Sequence, residues 1–373
     1  SKVTRDMGGL DALQHIRFVI TLDADTVLPR GAARRLAGTL AHPLNRARFN
    51  DATGQVSSGY TILQPRMEIH PRSVNYSWFT RIFAGDSGLD LYTRSVSDAY
   101  QDLFGEGSYV GKGIYDVDAF ERSVEKHISE NCVLSHDLLE GLMGRAGLVT
   151  DITMIEDYPT NYPVQIMRQR RWIRGDWQLL PWLLNARKFG VTFSAIDRWK
   201  IIDNLLRSML MPALTLIFSA GMLLLPVHAG IWLGIVLTAL AIPIITSTLT
   251  SIIQAMRGTN LGAAFRSIGP NFLRWALAIV FLPYEAYVNL DAIFTTLYRL
   301  VISHRYLLQW TTAAQTAKLF GLRTRRNAAW LKMSITTLFS LALAVGIQLI
   351  HTAGSGPAPA LIISSPVLLL WLF

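Results

Sequence analysis

The sequence predicts a mixed α/β domain over residues 1–204 followed by an α-helical transmembrane region over 205–373. Three observations carry that prediction. The 373 residues are 51% hydrophobic and only 16% charged, too apolar for a disordered chain. Charge is also unevenly spread. Residues 1–204 hold 24 of the 35 Lys+Arg and 24 of the 26 Asp+Glu, so the formal +9 belongs entirely to the second part. Finally, strand-like and helix-like runs alternate in the first part, whereas the second is built of long uncharged runs. A neutral first part gives no basis for a nucleic-acid partner, and basic loops between apolar runs signal membrane topology instead. One cysteine, Cys132, excludes an internal disulfide and a Cys-rich metal cluster; it is expected to be a small buried apolar residue. The chain starts at Ser1 and stops inside an apolar run, Leu361–Phe373, which predicts an internal piece of a longer polypeptide.

The elements follow in order. Arg17–Leu22 is a short apolar run rich in β-branched residues and reads as a strand, followed by Asp23-Ala24-Asp25-Thr26 and a helix-spaced stretch, Ala32–Leu40. Gly59–Gln64 and Leu148–Ile155 read as further strands, Leu134–Arg145 and Val164–Leu184 as helices, giving a central sheet with helices on it. Ser208–Leu225 and Gly230–Leu249 are long enough to span a bilayer as a hairpin, with Met333–Ile350 and Ala360–Phe373 as third and fourth spans. The connections 226–229 and 351–359 carry no Lys or Arg, while 254–274 and 299–332 carry many, which puts the basic loops and residues 1–204 in the cytoplasm. Phe272–Leu290 lies between two cytoplasmic loops and contains Pro283 and Glu285. It reads as an interfacial helix on the inner leaflet.

Three clusters carry candidate chemistry. Asp23 and Asp25 are two apart, so on an extended backbone both carboxylates leave one face at the carboxyl end of a strand. Hard oxygen ligands there suit Mg²⁺ or Mn²⁺ bridging a diphosphate; a solvated turn is the bland alternative. In Leu134–Gly141, Ser135 or Asp137 can cap a helix, or Asp137 can serve as a general base; His136 reads as a surface residue. In Arg168–Trp177, Arg168, Arg171 and Trp172 share one helical face, where arginines can hold a diphosphate and an indole can support a sugar ring. A basic helix lying on anionic lipid is the alternative. Gly105–Gly113 lacks the Gly spacing and the Ser/Thr of a P-loop and reads as a flexible loop that admits a bulky substrate.

The order Asp-x-Asp, a lone Asp opening a helix, and Arg-x-x-Arg-Trp before membrane helices resembles processive glycosyltransferases of the cellulose and hyaluronan synthase type. Longer strings, among them Phe18–Thr26, Gly59–Arg66, Ser97–Gly107, Gly111–Phe120, Leu134–Gly141, Trp172–Gln178 and Leu308–Ala314, are similar to cyclic β-1,2-glucan synthases. That resemblance implies a partial GT-A-like nucleotide-sugar transferase domain, UDP-glucose as donor, Mg²⁺ or Mn²⁺, and inverting transfer onto a growing β-1,2-glucan acceptor at the bacterial inner membrane. It also implies that Asp23 and Asp25 hold the metal and diphosphate, that Asp137 is the base, and that Arg168, Arg171 and Trp172 form the (Gln/Arg)-x-x-Arg-Trp element. His136 stands where cellulose synthases carry Glu. The upstream nucleotide-gripping βαβ portion, the N-terminal membrane region and the C-terminal phosphorylase-like region of such synthases are missing from this chain, and are its expected partners within one polypeptide. A cellulose- or hyaluronan-type synthase of another linkage is the competing enzyme class. A glucan transport module and a carbohydrate-binding scaffold are the competing non-enzymes. The uncharged spans disfavour an ion pump, and the complete carboxylate set disfavours an inactive scaffold.

Overall fold

The computed structural model describes residues 15–51, 53–84, 98–128, 132–134, 136–256, 261–310, 323–351 and 358–372. Ser135, Arg257 and Lys318 lie outside the described residues. The chain divides into two compact units: Ser1–His70, Leu89–Asp157 and Gln178–Ile201 form one, and Pro71–Gly88, Tyr158–Trp177 and Ile202–Phe373 the other. The predicted break at residue 204 therefore gives way to an interleaved division. The 158–177 stretch goes with the second unit because Tyr162, Ile166 and Ile173 bury their side chains among Tyr284, Val288, Ala292 and Ile293 of that unit.

The first unit is a five-stranded sheet in the order β1-β6-β5-β7-β2. Its strands are β1 (Phe18–Thr21), β2 (Thr26–Val27), β5 (Ile62–Ile69), β6 (Gly113–Asp116) and β7 (Ala146–Glu156). A separate ribbon pairs β3 (Arg48–Phe49) with β4 (Val56–Ser58). β5 runs parallel to β7, and the other pairings of the sheet are antiparallel. Pro65 sits in the central strand β5, where it cannot donate to a ladder. The β5/β7 register shifts just there: Pro65 pairs with Val149 but Arg66 with Thr153. The bulge pushes Asp151 outward, where its carboxylate accepts a 2.6 Å bond from Arg35. Helix α1 (Ala32–Ala41) lays Leu36 and Leu40 on the sheet against Leu63, Met67, Ile114, Ile152 and Met154, the main apolar core of this unit. Shorter helices include α2 (Ala99–Phe104), α3 (Val117–Ser123) and α4 (Asp137–Gly144).

The longer helices are α5 (Tyr162–Gln178), α6 (Ala195–Leu224), α7 (Ala229–Met256), α8 (Leu261–Tyr298), α9 (Arg323–His351) and α10 (Pro359–Leu370), all of the second unit but for Gln178 and the start of α6 up to Ile201. Four segments, Ala195–Leu224, Ala229–Thr250, Gly269–Ser303 and Met333–His351, are long and apolar enough to cross a membrane; α10 is apolar but shorter. Gly221 of α6 lets Trp232 of α7 approach so closely that a Cβ there would fall 2.3 Å from the indole. Small residues at such crossings are what membrane helices use to pack. Phe218, Met222, Ile347, Leu368 and Trp371 form the centre of the helical core, and the Trp371 indole donates to the Ile279 carbonyl at 2.7 Å. The 272–290 stretch is one part of the 38-residue α8 rather than a short separate helix.

Candidate active site

Asp23, Asp137 and the glycine-rich stretch belong to the first unit. β1 ends at Thr21, and the Thr26 amide donates to the Asp23 carbonyl at 3.0 Å, so Asp23-Ala24-Asp25-Thr26 is a tight turn. The extended-backbone argument for two carboxylates on one face therefore fails. Both Asp23 and Asp25 are exposed at the carboxyl end of β1. Antiparallel pairing of β1 with β6 sets Thr21 opposite Gly113, which brings Lys112 alongside the turn. Its ammonium lies 3.1 Å from the Asp23 carboxylate and 2.8 Å from Glu156 at the end of β7.

One residue earlier, Gly111 has φ +83°, and a Cβ there would lie 2.9 Å from Cγ and Oδ1 of Asp137 and 3.0 Å from Oδ2. The glycine lets the backbone touch the carboxylate. The loop is pinned rather than flexible. The Gly107 amide donates to the Ala146 carbonyl, the Ser108 amide to Asp98, and the Val110 amide to the Gln64 side chain at 3.0 Å. Lys200 pairs with Glu106 at 3.3 Å.

Asp137 is the first residue of α4, with His136 as the N-cap and no capping bond from the imidazole. Asp137 is half-buried. Burial, then the neighbouring Glu140 carboxylate, push its carboxyl above the ordinary range, while His136 and Lys112 oppose the shift and Asp23 adds to it. His136 is exposed but not idle: its Nδ1 lies 2.7 Å from Glu140 Oε1, one turn on. That bond is the main reason its imidazole is pushed upward. The ligand-type atoms of His136, Asp137 and Glu140 all lie within 4.8 Å of one another. The buried Tyr109 phenol shares a 2.9 Å hydrogen bond with Thr21 at the end of β1. Cys132 is half-buried rather than fully enclosed.

Arg168, Arg171 and Trp172 lie on α5 in the second unit. Arg168 stacks on the Trp172 ring at 4.6 Å, and Arg171 on Trp310 at 4.9 Å. The other two arginines of α5 do structural work. Arg170 pairs with Asp291 at 2.6 Å. The buried Arg174 donates to the carbonyls of Gln309 at 2.7 Å and Leu307 at 3.2 Å. Burial and the neighbouring Arg299 and Arg170 lower the Arg174 guanidinium to about 10. These side chains line a cavity of about 160 Å³ with Met167 and Trp310. The tryptophans that interleave with the arginines pack: Trp177 donates to Ser208 at 2.9 Å, and Trp182 stacks on Phe189.

The sequence reading missed Lys112, Glu140, Glu156 and Tyr109. Glu140 had a signal, its i,i+3 spacing from Asp137. Lys112 had one too, as a lone cation between two glycines.

A mixed sheet with carboxylates at the carboxyl end of β1, followed by helices long and apolar enough to cross a membrane, fits a glycosyltransferase domain. Residues 18–255 match glycosyl transferase family group 2, and the chain belongs to that family. Its members use nucleotide-sugar donors, often with a divalent metal. The chain is similar to the cyclic beta-(1,2)-glucan synthase NdvB of Rhizobium meliloti (strain 1021), 40% identical over 337 residues. That match covers 88% of this chain and 12% of the relative.

Proposed function

We propose that the chain carries the transferase core of an enzyme that moves glucose from UDP-glucose to a growing β-1,2-glucan with inversion at the anomeric carbon, and that this part alone is inactive. The observation that carries this reading is the Gly111-Lys112 stretch, which touches the Asp137 carboxylate with one residue and the Asp23 carboxylate with the next. An inverting transfer needs a base for the acceptor and charge neutralisation for the leaving diphosphate. Asp137 takes the proton from the acceptor hydroxyl as that oxygen attacks the anomeric carbon. Its raised pKa makes it a stronger base than an ordinary aspartate. Asp23 and Asp25 fit a divalent cation, since they offer hard, exposed carboxylate oxygens on one tight turn. Bound there, Mg²⁺ or Mn²⁺ would offset the charge of the diphosphate. On α5, Arg168 and Arg171 carry charge suited to a diphosphate, and Trp172 a ring face suited to a sugar.

We place the protein in the bacterial inner membrane with its first unit in the cytoplasm, following the basic loops. α8 serves as an interfacial helix in this reading. Its length and composition would allow a crossing, but residues 284–297 pack against α5, whose Arg168, Arg170, Arg171 and Arg174 do not belong in hydrocarbon. The deciding experiment is Asp137→Asn in the full-length protein, assayed with radiolabelled UDP-glucose and Mg²⁺ or Mn²⁺. UDP-glucose binding is retained, while transfer falls ~10²–10⁴-fold, the usual worth of a general base. Normal glucan formation by the variant defeats the assignment, and a β-1,4 product from the parent replaces the linkage.

A further inference from the structure

Lys112 was singled out by no motif, yet it is among the most enclosed charged side chains of the first unit, 6% exposed. Two of its partners differ in character. The Glu156 side chain is 12% exposed and closes the inner side of the pair, whereas Asp23 is 53% exposed and faces solvent. The lysine backbone is fixed on both sides. Gly111 adopts a left-handed conformation, and Gly113 leaves no space for a side chain, since a Cβ would fall 2.3 Å from the Leu63 carbonyl oxygen. The ammonium is thus anchored from inside by Glu156 and presented to a carboxylate that is free to exchange partners with solvent.

We propose that Lys112 is a built-in counter-ion of the donor site, which neutralises Asp23 and competes with a divalent cation for its carboxylate. This rests on the reading of Asp23 as a metal carboxylate. An ammonium on the carboxylate opposes a second cation, so the site's intrinsic cation affinity is held down. Metal then stays only when a diphosphate contributes further oxygens. The consequence is a site that takes metal and nucleotide together rather than metal alone.

The test is Mn²⁺ titration without nucleotide, followed by the electron paramagnetic resonance of free Mn²⁺, on the protein in lipid nanodiscs. Lys112→Met alone takes the ammonium from the buried Glu156 carboxylate, so the companion variant Lys112→Met/Glu156→Gln removes both buried charges together. Both variants are expected to bind Mn²⁺ about five-fold tighter than the parent, the scale of a partly exposed ion pair. A purely structural lysine would leave affinity unchanged or weaken it through damage. Unchanged or weaker binding by the double variant, with Asp23→Asn still weakening the parent, overturns the counter-ion role. If Asp23→Asn leaves Mn²⁺ affinity unaltered, the metal reading of Asp23 fails, and this inference with it.

Discussion

Gly111→Ala is the sharpest probe of how Asp137 is held. Two costs can be worked from the structure. Alanine at φ +83° enters the left-handed region, at roughly 1–2 kcal/mol. Its methyl would also stand 2.9 Å from Asp137 Cγ and Oδ1, against the 3.4 Å of ordinary contact, so the carboxylate must retreat by the difference. A misplacement of about 1 Å costs roughly 10²-fold in rate, so a shift of half that predicts about a ten-fold lower kcat. UDP affinity stays within about two-fold, because Asp23 is not touched. The assay pairs initial rates of labelled glucose transfer with calorimetric titration of UDP and a thermal melt. A variant that melts lower, as the backbone strain demands, yet keeps kcat within about two-fold of the parent would refute the claim that Gly111 seats the base.

Further outcomes follow from the same geometry. Glu140→Gln removes a carboxylate that raises Asp137. A base works only when ionised, so the acid limb of kcat moves to lower pH in the variant, read from a pH–rate profile. Arg174→Met leaves the Gln309 and Leu307 carbonyls without their charged donor. Losing hydrogen bonds to a charged group costs about 2–3 kcal/mol, seen as a lower melting temperature and new protease cleavage near residues 304–310. With Cys132 replaced by Ser, a cysteine at His228 is labelled by a membrane-impermeant maleimide added outside the inner membrane, and one at His304 is not. Labelling at His304 from outside would make α8 a crossing helix.

Much of the fold was legible because its signals are local. The apolar run at β1, the helical spacing of α1 and the uncharged runs of α6, α7 and α9 each depend on their own residues. β6 was not legible, because four residues, Gly113–Asp116, become a strand only by pairing with β1 and β5. The same limit hid Lys112. Nothing near it in sequence announces a carboxylate partner, since Asp23 lies 89 positions upstream and Glu156 is 44 downstream. Asp23 and Asp25 were found, but their backbone was misjudged, because a strand pattern does not reveal where the chain turns. On α5 the periodicity grouped Arg168, Arg171 and Trp172, and the structure stacks Arg168 on Trp172 but Arg171 on Trp310. The periodicity could not separate them from Arg170 and Arg174, whose partners lie more than a hundred residues away.

The sheet order carries one more consequence. β1, the strand that leads into the Asp23 turn, is an outermost strand among the described residues, and all four of its side chains are only half covered. An edge strand rich in β-branched residues is a template for another strand. Whatever lies against that edge governs solubility: left bare, it would drive concentration-dependent self-association of the first unit, and a single lysine at Val19 would be enough to blunt it.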